Sequence, residues 1–447
     1  MRNAQPTRSI IMPAIAVTAL AFFSTTTPSF GQAADARLRS GLEGLPIRTI
    51  TIHGLENMDE DVVRRRLQLT VDKPYHVTTA RRDERVITGL MTFWSVRIHA
   101  AGVPAGSNPQ TVEVHIHIVE RFAWFAAPQI TWSPEEEWSY GLYGGHLNLA
   151  RRGHRLYLSG LTGGVRYLMV SLHNPWNGRN HESFEIDVSN VRIRNNLYDL
   201  KESGERLSLK LGRWFGRTGR GQIGLLYRRV EGTYPWYAAF PGLHFHDRLH
   251  MFWLFLGRDT SDPWGYPRIG QTVGVRLEQN GGLLGGDLSG GAVRVNISRR
   301  DRISGNWILA SLVTHDSRWG DIPFWRLLTL GGANSLRGYP LGNYLVTRRW
   351  EITGELQWYA VPMHVVPMGI LGDQIVGISL SLFVDAGAGS GVLRSWEPQP
   401  WSDRTPTLAS GGVGCYFHNA LFGTIRIEMA WPEHGPRQFI FGLGTKF

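Results

Sequence analysis

Four short stretches of this 447-residue chain hold residue types capable of chemistry. In "TVEVHIHIVER", His115 and His117 stand two apart. On an extended backbone both imidazoles share one face and could hold a metal, but no third ligand is evident, so a polar strand face is the preferred account. "HESFE", from His181, has Glu185 where a zinc-protease motif needs its second histidine. "GAGSG", residues 387–391, lacks the strand-to-helix setting of a phosphate-cradling loop, and no Gly-x-Ser-x-Gly elbow occurs. The fourth stretch is "GGANSLRGYPLGNY", where Arg337 sits between Leu336 and Gly338. Its glycines and Pro340 argue against helix and regular strand, so it is a loop, and its plain account is a surface connection with a solvated arginine. No catalytic residue, cofactor or metal site is expected from these stretches.

The elements that position these residues are read from composition and pattern. Aromatics make up 11% of the chain, with 17 Trp and 53 Gly, which suits many short strands and turns with indole rings at an interface. The net charge of +10 is spread through alternating segments and forms no single basic stripe. Nucleic acid is therefore excluded as a partner, and a positively lined channel or anionic lipid headgroups fit dispersed arginine better. The single cysteine, Cys415, excludes an intramolecular disulfide and a multi-cysteine zinc site.

Residues 1–33 read as a signal peptide. Arg2 and Arg8 precede the apolar run from Ile10 to Phe23, and a small-residue stretch ends near Ala33. A spanning helix needs about 20 apolar residues, more than this run supplies. Residues 34–46 read as a linker. Residues 47–121 then read as a compact α+β domain in the order strand, helix, helix, strand, strand. "IRTITIHGL" is the first strand, although its alternation is imperfect: Ile50 and Ile52 share a face with Arg48, and Ile47 falls on the other. Val62, Val63 and Leu67 mark one helical face, and Ala80, Ile87, Leu90 and Met91 mark a second. "WSVRIHA" and "TVEVHIHIVER" form a hairpin.

From residue 122 to 447 the period becomes two. In "SFEIDVS", "VRVNISR" and "TIRIEMAW" the apolar residues occupy alternate positions, opposed by Glu185 and Asp187, by Arg294, and by Arg426 and Glu428. So long a run predicts a transmembrane antiparallel β-barrel of about 16 strands.

The element order of residues 47–121, the glycine closing the first strand, "LMTFWSVRI" before the hairpin and Glu120 at its end resemble one polypeptide-transport-associated (POTRA) domain. That family's domain lies in the periplasm and binds extended polypeptide at its sheet edge. With "LRGY" late in the barrel, nearly the whole mature chain resembles the BamA/TamA superfamily of outer-membrane assembly and translocation proteins. The resemblance implies that Arg337, Gly338 and Tyr339 tip a loop folded into the lumen. It also implies that Arg337 meets acidic residues on the inner wall: Asp385 in "FVDAGAG" and Glu355 in "ITGELQW". The chemistry agrees, because an arginine kept from bulk water needs carboxylates and its planar fork can satisfy two. Phe439, Phe441, Leu443 and Phe447 resemble the terminal signal by which such barrels are recognised for assembly. "GRDTSDPWGYPRIG", with Asp259, Asp262 and Pro267, resembles the strand and turn before the family's central hairpins, or is an ordinary turn.

The implied function is non-enzymatic insertion or translocation of polypeptides. The expected partners are outer-membrane lipid, unfolded clients, and periplasmic or lipoprotein factors. Two alternatives stand beside it. A two-partner secretion translocator normally has two POTRA domains and a plug helix, for which residues 34–46 leave no room. A passive channel with an arginine-lined lumen needs no client.

Overall fold

The computed structural model describes residues 40–88, 90, 92–104, 109–133, 137–177, 182–195, 200–216, 218–233, 244–261, 269–367, 373–392, 402–419, 423–444 and 446. The first domain contains β1 (Ile47–His53), α1 (Glu60–Arg64), α2 (Val77–Thr88), β2 (Phe93–Pro104) and β3 (Pro109–Glu120). Its sheet has the order β1-β3-β2, with β1 parallel and β2 antiparallel to the central β3. The imperfect alternation of β1 has a physical cause. The register shifts between Ile47 and Thr49, and this irregularity lets Ile47 and Ile50 both reach the core. That core packs Val62 and Val63 of α1 and Ala80 and Ile87 of α2 against Val96, Ile98, Val114, Ile116 and Ile118 of the sheet. The first helix is one short turn, although its pattern extends to Leu67, which packs against the core from beyond the helix. Met91 lies outside the described residues.

Residues 40–46, read from sequence as linker, are packed onto this domain. Leu42 is buried in the core, Gly44 N–H donates to Tyr75 O at 2.8 Å, and Tyr75 N–H donates to Leu45 O at 2.8 Å. The segment holds too few apolar residues for a periodic pattern, so its docking depends on tertiary contacts alone.

The barrel runs β4 (Trp124–Ser133), β5 (Glu137–Leu149), β6 (His154–Gly163), β7 (Val165–Asn177), β8 (Glu182–Asn195), β9 (Leu200–Phe215), β10 (Gly219–Thr233) and β11 (His244–Asp259). It continues with β12 (Gly270–Asn280), β13 (Gly290–Ser304) and β14 (Trp307–Gly320). A loop then carries a small hairpin, β15 (Leu328–Leu330) with β16 (Tyr344–Val346). The wall resumes with β17 (Arg348–Pro367), β18 (Asp373–Val392), β20 (Leu408–Asn419), β21 (Gly423–Pro432) and β22 (Gln438–Leu443), and the three-residue β19 (Ser402–Arg404) pairs with the end of β18. Among the described residues, sixteen full strands close the wall, with β22 beside β4.

Leu142, Leu168, Val188, Leu211, Leu256, Ile352, Leu382 and Ile427 are all exposed on the outer face. Such a continuous apolar band is costly in water and matches hydrocarbon. Aromatics rim it at two levels. Trp124, Phe215, Trp307 and Trp358 lie toward the first domain, and Trp138, Trp319, Trp350 and Trp431 lie toward the opposite end, all of them exposed. Indole at both edges of an apolar band marks the two membrane interfaces.

The joint between domain and barrel is polar and centred on Glu120. Its carboxylate accepts N–H groups from Glu56 (3.0 Å), Asn57 (2.8 Å) and Met58 (2.9 Å). The loop so held docks on the turn between β5 and β6: Asp59 N–H donates to Arg151 O at 2.9 Å, and Asn148 Nδ2 donates to Asn57 O at 2.9 Å. Replacing Glu120 by Ala removes the acceptor of three backbone donors. Amide exchange at Glu56, Asn57 and Met58 should then accelerate roughly ten- to a hundredfold, equivalent to about 1.4–2.8 kcal/mol, with Glu120→Gln in between and the barrel melting temperature unchanged. Hydrogen-exchange mass spectrometry checks this.

Candidate functional site

The loop between β14 and β17 runs into the barrel and holds Arg337 at its tip. Two glycines make the reversal possible: Gly331 and Gly332 have φ of 115° and 103°, values that side-chain-bearing residues rarely adopt. The tip is knitted by its own backbone, with Gly332 N–H donating to Tyr339 O at 2.9 Å and Ser335 N–H donating to Gly332 O at 3.0 Å. Leu336 and Tyr339 flank the arginine and pack with Leu328, Leu330, Tyr344, Val346 and Leu408. Tyr339 OH donates to Ala409 O on β20 at 3.0 Å. Gly338 passes so close to the wall that a Cβ there would lie 2.6 Å from Ser410 Cβ and 2.9 Å from Pro432 N.

Arg337 is completely buried, and the inner faces of four neighbouring strands supply its partners. Nε donates to Asp385 Oδ2 at 2.8 Å and Nη2 to Asp385 Oδ1 at 3.1 Å, a bidentate pair, and the backbone N–H donates to the same carboxylate at 3.1 Å. Nη1 meets Glu355 Oε2 at 3.0 Å, Glu428 Oε1 at 2.7 Å and Tyr416 OH at 3.3 Å. The guanidinium carbon lies 3.4 Å from the ring centre of Phe383, so the face of the cation is covered as well as its edge. A guanidinium stays charged in proteins, so its burial here is offset by the hydrogen bonds and charges of Asp385, Glu355 and Glu428.

Two further cations complete the cluster. Lys446 Nζ lies 2.9 Å from Asp385 Oδ1 and also donates to Ser335 O, and Arg426 Nη1 lies 3.7 Å from Glu428 Oε2. Three carboxylates thus face three cations, and the buried charge is balanced. Of the residues named from sequence, the structure brings Arg337, Gly338, Tyr339, Asp385 and Glu355 together. Glu428, Tyr416, Phe383 and Lys446 were missed. The polar face of "TIRIEMAW" already displayed Glu428, but which strand adjoins the loop is a tertiary fact.

The loop also grips the far wall. Trp325 Nε1 donates to Asp247 at 2.6 Å and its ring lies under Arg228 at 4.6 Å, while Arg326 Nη1 donates to Asn280 Oδ1 at 2.9 Å. The segment therefore bridges the lumen from β10–β12 to β17–β21. Elsewhere, Phe439 and Phe441 lie on β22, with Phe439 exposed on the outer face; Leu443 ends that strand, and Phe447 lies outside the described residues. Asp259 ends β11 and accepts the Ser261 N–H at 2.9 Å, whereas Asp262, Pro267 and His181 lie outside the described residues. His115 and His117 are in the first domain. "GAGSG" is part of strand β18.

Residues 148–447 match the Omp85 superfamily domain. The chain belongs to the Omp85 superfamily. By structure it is similar to BamA from Haemophilus ducreyi lacking POTRA domains 1–3, with 15% identity, a TM-score of 0.59, and 89% of this chain and 83% of that one covered. It is also similar to CdiB from Acinetobacter baumannii, with 10% identity, a TM-score of 0.54, and 88% and 71% covered. CdiB from Escherichia coli aligns with 12% identity, a TM-score of 0.51, and 92% and 94% covered. No curated protein matches by sequence. As an Omp85 protein the chain is an outer-membrane β-barrel whose general role is the insertion or translocation of polypeptides at that membrane.

Removing Arg337 leaves three buried carboxylates facing only Lys446 and Arg426. Arg337→Ala should destabilise the barrel by about 3–5 kcal/mol, and Arg337→Lys should rescue part of that because it keeps the charge without the fork. In a double-mutant cycle, Arg337→Ala with Asp385→Asn should show a coupling energy above about 1 kcal/mol, and Arg337→Ala with Glu428→Gln should also be non-additive. Melting temperature and protease cleavage in the loop read out both.

Proposed function

We propose that this Omp85 protein assists the folding of other polypeptides into the outer membrane by offering them the seam between β22 and β4 as a temporary edge. The observation that carries this is the length of the closing strand. β22 has 6 residues where its neighbours β21 and β4 have 10 each. A strand in hydrocarbon must satisfy its backbone groups, so the part of β4 that outruns β22 favours pairing with an incoming strand. The loop network bears directly on this seam, since Lys446, just beyond β22, is tied to Ser335 and Asp385. The outward phenylalanines of β22 serve in this reading as the recognition signal for the chain's own assembly.

Residues 47–121 act in the periplasm as a single POTRA domain that presents clients, with β2, an outer strand of its sheet, adding an extended segment by β-augmentation. The polar joint at Glu120 tethers this domain to the barrel mouth. Periplasmic or lipoprotein factors and lipid complete the partners, and no enzymatic step or cofactor takes part. A loop bridging the lumen and pinned on both sides speaks against a passive channel.

Photo-crosslinkers placed at Phe439 on β22 and Ile130 on β4 should trap unfolded outer-membrane polypeptides in living cells, while one at Leu225 on β10 should not. Deleting residues 47–121 should reduce trapping while the barrel keeps its heat-modifiable gel migration. Equal labelling at all three positions overturns the seam, and trapping of one secreted soluble chain alone replaces insertion with translocation.

A further inference from the structure

The solvent face of the first-domain sheet carries a cluster of imidazoles that the domain's packing does not require. His53 on β1 is opposite His117 on β3, and His99 on β2 is opposite His115 on β3. Cross-strand partners share a face, so all four point away from the helices while Val114, Ile116 and Ile118 fill the core. The His53 ring lies 5.6 Å from that of His115 and 4.9 Å from that of His117, inclined by 21° and 18°. His99 meets His117 edge-on at 5.3 Å. The carboxylate on the same face of β3, Glu113, lies 4.0 Å from Arg48.

The distance that matters is between nitrogens. His53 Nε2 and His115 Nδ1 stand 3.4 Å apart, long for a well-formed hydrogen bond. It is also the edge of a tetrahedron whose corners lie about 2.0–2.1 Å from its centre, the usual Zn–N length. Among the described residues no three ligating groups already converge on such a centre. His117 is exposed and packs against the His53 and His99 rings, so to join such a centre it would turn about its side-chain torsions and give up those contacts.

We propose that His53 and His115 form a surface site for a divalent transition ion, with His117 as third ligand and water filling the remaining position. Neutral imidazole suits Zn2+, Ni2+ and Cu2+ and disfavours Mg2+ and Ca2+. The ion would join β1, an outer strand, to the central β3, and so clamp the one parallel pair of the sheet. This site is independent of the seam.

The test is calorimetric titration of the full chain in detergent micelles with ZnCl2 at neutral pH, beside His53→Gln, His115→Gln and the double variant. Wild type should bind one equivalent at least roughly tenfold more tightly than either single variant, or about 1.4 kcal/mol, and zinc should slow amide exchange in β1 of wild type alone. With Cu2+ in place of zinc, electron paramagnetic resonance should show nitrogen couplings from two or three imidazoles that the double variant lacks. These positions face solvent, so circular dichroism of the variants should match wild type. Equal zinc affinity in wild type and the folded double variant, or unchanged exchange in β1, overturns the proposal.

Discussion

A guanidinium placed where water does not reach is the constraint on which the lumen is built. Desolvating one such charge costs several kcal/mol, and nothing in an apolar wall repays it. The barrel repays it with three carboxylates on separate strands, a bidentate geometry with Asp385, a phenol and an aromatic face. Each partner would itself be costly if left alone, so the loop and four wall strands hold one another in place. The balance extends through Lys446 to the end of the chain, and the stability of the loop tip and the position of the closing strand are thereby one problem.

The same alternation serves two solvents. Every second residue of a strand faces hydrocarbon, and the residues between face a lumen that admits charge. On β21, Ile427 and Trp431 are exposed outward while Arg426 and Glu428 are buried inward. A shift of one residue would send the carboxylate into lipid and the indole into the network, so the ion cluster fixes register more strongly than apolar packing could. Grip on the far wall by Trp325 and Arg326 adds a second fixed point, and a loop held at both ends resists the slack that its glycines would otherwise allow.

The first domain follows a different logic. Its sheet buries one face under two helices and leaves the other to water, and the joint to the barrel is made by hydrogen bonds centred on Glu120. Polar joints permit reorientation at modest cost.

Much of this was legible in the chain itself. Period-two alternation over residues 122–447 determined a barrel, because hydrocarbon outside and charge inside impose it strand by strand. The glycines and proline around Arg337 determined a loop, because backbone geometry is local. Sequence did not determine that Ile47 joins the core, since a register irregularity at the start of β1 changes which face it takes. Nor did it show that residues 40–46 dock on the first domain, that Glu428 and Lys446 close the charge balance, or that His53 and His99 gather beside His115 and His117. Those facts depend on which strands become neighbours. Contacts between residues about 90 positions apart, such as Arg337 with Glu428, leave no periodic trace along the chain, and only closure of the barrel brings them within hydrogen-bonding distance.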